Sequence, residues 1–257
     1  LIFGIGPFPK MGVVGAAVAT VLGYVVSTII ALIQLFLTKQ KVKPVFKNCL
    51  EPQMIKLIFS YGLPSFVMNA LGAFTVNFAN MFLVRYSDTA VAFFGAYFKV
   101  QQLIFMTVNG LIQGCLPIMR FNYRAKEYGR LKQANKSGTI IATVMMIVGM
   151  LLVLVFPKEI LFLFSASEEM CAFGVPAMRI MSLGFVFSGF SAMIATYEQA
   201  TDSIMPGVVV QLLRQGVLLV PVIWLLNSAV QMTGIWLAFP ITEFVTFLVA
   251  VVFAKIK

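Results

Sequence analysis

The sequence contains no histidine. That removes the side chain most used as a general base and as a neutral metal ligand, and with it most Ser–His and Cys–His nucleophile arrangements. The isolated run Gly189-Phe190-Ser191-Ala192 therefore has no base to activate its serine, and no catalytic residue is assigned. The three cysteines, Cys49, Cys115 and Cys171, are widely separated and form no CxxC pair, so they read as ordinary apolar side chains and no metal site is expected. Charge is scarce as well. Nine acidic and 19 basic residues make up 11% of the 257, less than half the roughly 25% of an average soluble domain.

What fills the space is hydrocarbon. Hydrophobic residues make up 60% of the chain and the mean hydropathy is +0.96, which places it among membrane proteins. Crossing the apolar core of a bilayer takes about 20 apolar residues in a helix and about 10 alternating ones in a barrel strand. The runs here are long and uniformly apolar, so the fold class is an all-α polytopic helical bundle. Seven spans are expected: Val13 to Leu37, Met54 to Val84, Ala90 to Met119, Ser137 to Phe156, Cys171 to Tyr197, Met205 to Leu226 and Met232 to Phe253. Pro64, Pro176, Pro221 and Pro240 fall within these spans, where membrane helices use proline as a kink; Pro221 and Pro240 read as bending points.

The net charge of +10 follows from topology rather than from nucleic-acid binding. Lys39, Lys41, Lys43 and Lys47 fall in the first loop, and Arg120, Arg124, Lys126, Arg130, Lys132 and Lys136 in the third; Lys255 and Lys257 end the chain. All three regions lie on one side of the membrane. The opposite loops carry Arg85 with Asp88, then Lys158 with Glu159, Glu168 and Glu169. The positive-inside rule puts the basic loops and the C-terminus in the cytoplasm, with Glu198 and Asp202 in a cytoplasmic loop. The chain begins at Leu1, already in apolar sequence, and reads as a fragment whose N-terminal part is missing.

Polar residues inside the spans form stripes. At 100° per residue, Lys99, Gln102, Met106, Asn109 and Gln113 share about 80° of one helix face, and Ser65, Asn69, Ala73, Asn77 and Asn80 share about 120° of the helix before it. Gly184, Ser188, Ser191, Ala195 and Gln199 make a milder third stripe. Amide and charged groups in hydrocarbon cost roughly 2 to 3.5 kcal/mol each unless they meet water or protein. The three stripes therefore point to one shared cavity, with interhelical hydrogen bonding as the plainer account of the amides. Lys99 lies about 16 Å of helix rise from Asp88, near the middle of the bilayer. Glu243, the acidic residue set deep in a span, is its candidate counter-charge, with Arg214 competing for the same carboxylate.

Several stretches have a family likeness. "MGVVGAAVAT" (Met11 to Thr20), "YGLPS" (Tyr61 to Ser65), "GAYFKVQQLIFM" (Gly95 to Met106), "GLIQGCLPIMRFNYRAK" (Gly110 to Lys126), "QLLRQ" (Gln211 to Gln215) and "FPITE" (Phe239 to Glu243) resemble, in this order, the multidrug and toxic compound extrusion family, in its bacterial branch of DNA-damage-inducible F-like and multidrug-export proteins. The resemblance implies the sixth helix and the C-terminal six-helix lobe of a twelve-helix, two-lobe transporter. Residues 1–53 would hold the last helix of the N-terminal lobe and the inter-lobe loop, and residues 54–257 the C-terminal lobe.

The resemblance further implies efflux of drug-like cations or amphipathic compounds, in antiport with protons or sodium ions, by a monomer in the bacterial cytoplasmic membrane. Asn69, Asn77, Asn80, Lys99, Gln102, Asn109 and Gln113 would line the cavity wall, with Met106 and Phe66 offering adaptable and aromatic contacts. Some family members carry acidic residues near Gly72 and near Phe187 or Ser188; this sequence has none there, so the coupling ion is expected mainly in the N-terminal lobe. The family's cytoplasmic "YNYGA" is "FNYRA" here, Phe121 to Ala125, with Arg124 in place of a small residue. A flippase for lipid-linked saccharides, built on the same two-lobe plan, is the alternative, and a more strongly basic cavity would mark it.

Overall fold

The computed structural model describes residues 11–37, 51–201 and 204–255, apart from the side chains of 60–62, 64, 65, 67–69, 204–207, 215, 254 and 255. The described residues are helical apart from short turns, with no strand among them. By contact they fall into two units, Leu1–Ile58 and Phe59–Lys257. The lysines and Cys49 of the first loop, 38–50, lie outside the described residues, as do Asp202 and Lys257.

The first unit holds α1 (Gly12–Leu37) and the opening turns of α2 (Pro52–Leu83). Of the α1 side only Gly15 is buried among the described residues. With 26 residues rising 1.5 Å each, α1 is about 39 Å long, enough to cross a bilayer.

The second unit continues α2 and adds α3 (Asp88–Arg124), α4 (Tyr128–Val155), the short α5 (Pro157–Phe162), α6 (Glu168–Ser182), α7 (Phe185–Ala200), α8 (Ile204–Leu212), a π-helical turn over Leu213–Val217, and α9 (Leu219–Lys255). Among the described residues five stretches are long and apolar enough to span a membrane: Gly12–Leu37, Asp88–Arg124, Tyr128–Val155, Glu168–Ala200 and Leu219–Phe253.

Local chemistry sets the junctions. Ser87 caps α3, its hydroxyl accepting from the Ala90 amide at 3.0 Å, and Ser167 caps α6 through the Met170 amide at 3.2 Å; each satisfies a helix-start donor that has no carbonyl partner. Between α3 and α4 the chain reverses within three residues. Lys126 takes φ 60°, and the Glu127 amide donates back to the Asn122 carbonyl at 2.9 Å, the left-handed closure common at helix ends. Arg124 in the family's small-residue position is thus compatible with a tight turn, because the left-handed residue is Lys126. Pro157 opens α5, where a missing N–H costs nothing.

Packing centres on α7, which lies against α3, α4, α8 and α9 and is buried on nearly every side from Ser188 to Glu198. Lipid offers no hydrophobic drive between helices, so close approach through small residues has to supply the attraction. A Cβ on Gly189 would meet Met146 Cγ at 2.9 Å and the Ala142 carbonyl oxygen at 3.1 Å, and one on Gly138 would overlap the Met193 side chain. Aromatic rings join α3 to α6 and α9: Phe93 meets Phe173 at 5.6 Å and Trp236 at 5.3 Å, both edge-on, and Phe94 meets Phe239 at 5.7 Å.

The structure redraws several sequence expectations. The fifth span is two helices, interrupted at Leu183 and Gly184. The sixth span is α8, the π turn and the start of α9. A break at Val230 and Gln231 then separates it from the seventh. Gly234 lies so close to the Leu226 carbonyl that a Cβ there would overlap it, although eight residues of unbroken helix would hold them about 12 Å apart; the chain doubles back. Pro221 sits in the first turn of α9 and bends nothing, whereas Pro117, inside α3, and Pro240, inside α9, do interrupt a hydrogen-bond ladder.

The third stripe is a packing face, not a cavity wall. Ser188 and Ser191 are buried and donate to the carbonyls of Gly184 and Phe187, in their own helix, at 3.0 and 2.8 Å, which spends each hydroxyl's only donor within the helix. Glu198 is a second deep acid, 1% exposed at the end of α7; α7 runs on to Ala200, past the expected loop start.

Replacing Gly189 with leucine should destabilise the fold by about 1–3 kcal/mol, because the Ala142 backbone cannot swing aside. Gly95→Ala, where a Cβ meets nothing within 4 Å, should hold or raise stability. Thermal unfolding of the purified full-length protein in detergent checks both.

Candidate functional site

Three interruptions of helical regularity meet at one point. The π turn exists because Gly216 leaves helical geometry (φ 176°, ψ −37°), and a side chain there would meet Thr75 Oγ1 at 2.7 Å and Leu71 Cγ at 2.8 Å, so α2 passes directly over it. The break between α6 and α7 places Gly184 where a Cβ would lie 3.2 Å from both Glu243 Cγ and Pro240 Cα. Pro240 in turn stands one helical turn before Glu243 in α9.

The π turn points Arg214 at α9. Its Nε donates to Glu243 Oε1 at 2.9 Å, and the two side chains keep only 19% and 14% of their exposure. The guanidinium also lies 4.8 Å from the centre of the Phe105 ring, close enough for the ring's negative face to attract it. Glu243 Oε2 is buried, with no hydrogen-bond partner among the described residues; the Tyr97 hydroxyl and the hydroxyls of Thr242 and Thr246 are in the same state.

Around this pair is a cavity of about 480 Å³. α2 contributes Gly72, Thr75 and Val76; α3 contributes Phe98, Gln101, Gln102, Phe105 and Asn109. Gln211 and Arg214 come from α8 and the π turn, and Leu219, Phe239 and Glu243 from α9. The size falls in the range that receives drug-sized molecules, and apolar and aromatic walls with a few convergent polar groups are the usual make-up of such sites. A hollow of about 580 Å³ at the end of α3 is lined by Pro117, Arg120, Phe121, Arg124 and Ala125. One helix and its turn form all of it, so it is an exposed basic and aromatic surface suited to anionic headgroups.

Of the residues singled out in the sequence, Gln102, Asn109, Arg214 and Glu243 line the cavity together. Lys99, Met106 and Gln113 are exposed on the same face of α3 but outside the cavity lining. Glu243 therefore meets Arg214, not Lys99. Asn77 is exposed, its amide donating to the Ala73 carbonyl at 3.0 Å, and Asn80 is half-buried with its Oδ1 unpartnered. Phe66 is 68% exposed, and the Asn69 side chain lies outside the described residues. Sequence reasoning missed Gln101, Gln211, Thr75 and Phe105. The first two are amides within three residues of the flagged Gln102 and Arg214, which was the available signal; Thr75 and Phe105 gave none.

Membrane-length helices, several of them interrupted, around a cavity walled by five elements define a polytopic membrane protein. The MatE family model matches residues 64–225, and the chain belongs to that family. It is 26% identical over 245 residues to the multidrug export protein MepA of Staphylococcus aureus (strain bovine RF122 / ET3-1), covering 95% of this chain and 53% of the relative. MepA of Staphylococcus saprophyticus is 27% identical over 254 residues, covering 97% and 54%. The chain thus spans about half the length of the curated relatives it matches.

Among solved structures, the outward-facing conformation of a multidrug resistance MATE family transporter of the MOP superfamily superposes with a TM-score of 0.84 at 20% identity, over 99% of this chain and 58% of that one. A MOP superfamily transporter from Pyrococcus furiosus, in a structure described as showing a binding pocket of reversed polarity, gives 0.84 at 20% with the same coverage. These share the fold, and the relatives are bacterial membrane transporters, which places this chain in a membrane.

Removing either charge of the pair should cost on the order of 3 kcal/mol, because it leaves the other, largely buried, without its counter-charge. Glu243→Gln and Arg214→Met should each lower the unfolding temperature. The double variant Arg214→Met with Glu243→Leu should recover most of the loss; additive losses would show that the two charges do not depend on each other.

Proposed function

We propose that the protein is a secondary active exporter of cationic or amphipathic drug-like compounds, driven by inward flow of protons or sodium ions through alternating access of two lobes. The observation that carries this reading is the charge-compensated cavity. Its aromatic and aliphatic walls accept varied shapes, its amides donate or accept as required, and its one positive group is already neutralised by a carboxylate. A flippase handling lipid-linked diphosphate sugars would want unpaired cations for its phosphates.

The exposed face of α3 supports the same reading. Lys99, Gln102, Met106, Asn109 and Gln113 stand uncovered on a helix of membrane length, and polar side chains at such depth belong beside water or another part of the protein. With Asn77, Asn80 and Phe66 on α2 they form the wall that this half presents to the central pathway, to which the sequence alone adds Asn69. The coupling ion is held mainly by carboxylates of the N-terminal lobe. The protein acts as a monomer in the bacterial cytoplasmic membrane, with its C-terminus and basic loops on the cytoplasmic side.

Export needs differential binding of ion and drug to the inward-open and outward-open states, since a ligand that binds both equally moves nothing. Drug-sensitive cells expressing the full-length protein should accumulate several-fold less of a fluorescent cationic dye, and the effect should vanish when the proton and sodium gradients are collapsed. Unchanged dye levels, with restoration of a polysaccharide-export defect instead, would turn the assignment to the flippase.

A further inference from the structure

The hollow at the end of α3 gathers positive charge that no acidic side chain answers. Its lining, Pro117, Arg120, Phe121, Arg124 and Ala125, sets two arginines four residues apart, about 6 Å of rise and 40° of helix face from each other. Like charges at that spacing repel. Both arginines are exposed, and neither has a hydrogen bond or an ion pair among the described residues. Glu127, the nearest acid in the sequence, lies beyond the reversal at Lys126 and makes no ion pair with them.

The neighbouring helix fixes how deep this hollow lies. A Cβ on Gly138 would lie 3.2 Å from Cys115 Sγ, and one on Gly149 would overlap Ile104, so α3 and α4 run antiparallel with these residues level. α4 carries no charge from residue 137 to its end at Val155, about 29 Å of helix and the thickness of a hydrocarbon core. Lys136 therefore marks one boundary of the core, and Pro117 lies level with it. Arg120 and Arg124 follow about 4.5 and 10 Å further out, where their side chains reach the headgroup layer. Beside them Ile118 and Phe121 are 54% and 73% exposed, and side chains on a helix lean toward its N-terminus, here back toward the core.

We infer that Arg120 and Arg124 hold the phosphate of an anionic phospholipid, with Phe121 and Ile118 against its glycerol and upper acyl chains. Each guanidinium presents a planar fork of N–H donors that matches phosphate oxygens, and an anion between the two ends their repulsion. A zwitterionic lipid brings an ammonium of its own to a site that already holds two cations. A soluble anion would engage the arginines and leave Phe121 and Ile118 in water. Arg120 and Arg124 lie within about 60° of Lys99 on the α3 wheel, at the end of the face proposed above as pathway wall. A phosphate held there cancels positive charge on that face, so the site does not oppose a cationic cargo.

The full-length protein, purified in neutral detergent and freed of lipid, is titrated with phosphatidylglycerol and phosphatidylcholine of the same acyl chains, and bound lipid is counted by native mass spectrometry. Phosphatidylglycerol should bind at least about fivefold more tightly. The double variant Arg120→Gln with Arg124→Gln should bring the two lipids within about twofold of each other, with phosphatidylcholine affinity and unfolding temperature unchanged because both side chains are exposed. Lys132→Gln with Lys136→Gln removes the same charge from α4, outside the hollow, and should keep the preference. Glycerol phosphate at equal concentration should not displace the lipid.

Equal binding of the two lipids by the unaltered protein overturns the inference, and so does a preference that survives the loss of both arginines. A preference lost equally with Lys132 and Lys136 would show diffuse attraction to a basic surface instead of a site. Displacement by glycerol phosphate would show a site for soluble anions. The measurement needs no transport, so dye export without a lipid preference would sink this inference alone, whereas a lipid preference without export would sink the efflux reading alone.

Discussion

Inside a bilayer little water stands ready to solvate a polar group, so most of them must be answered by the protein itself. The arrangement of the second unit follows from that constraint. Hydroxyls along α7 and α2 turn back onto carbonyls of their own helices, as Ser188, Ser191, Thr196 and Thr75 do. The basic groups concentrate at helix ends, where long side chains reach the interface. Arg214 and Glu243 can do neither, and the structure brings them together across two elements.

Holding them together takes irregular backbone. A straight helix through residues 205–226 would carry Arg214 at one angle and Gly216 at another, set by the 3.6-residue repeat. The kink at Gly216 interrupts that repeat and changes what both face. Gly216 then lets α2 approach, Gly184 lets the α6–α7 break come up against Glu243, and Pro240 weakens the α9 ladder one turn before the carboxylate. Each of these residues is small or lacks an amide hydrogen, and each lies beside a residue that lines the cavity: Gly216 beside Thr75, Gly184 beside Glu243 and Pro240 beside Phe239. Irregular helices around an ion pair are also where a bundle can bend at least cost.

The membrane class, the helical fold and most span positions were legible in the sequence, because hydrocarbon length and the 3.6-residue period act on one segment at a time. The polar face of α3 was legible for the same reason: wheel geometry placed Gln102 and Asn109 correctly relative to each other before any neighbour was known. Lys99 misled, because a lysine deep in an apolar run looks more in need of a partner than an arginine in the next-but-two helix. The structure leaves Lys99 exposed and gives the carboxylate to Arg214. The serine stripe of α7 misled in a different way, since a row of small polar residues has the same wheel pattern whether it lines a cavity or lets two helices touch.

The sequence by itself determined that this chain lives in a membrane as a set of helices, which residues share a face, and which family its motifs resemble, since all of these depend on local period and composition. Only the tertiary structure decided that Glu243 meets Arg214, that Phe105 and Gln101 join them, and that five elements line one cavity. Those outcomes hang on where helices break and how closely glycine lets them approach, distances between segments far apart in the chain that no periodicity records.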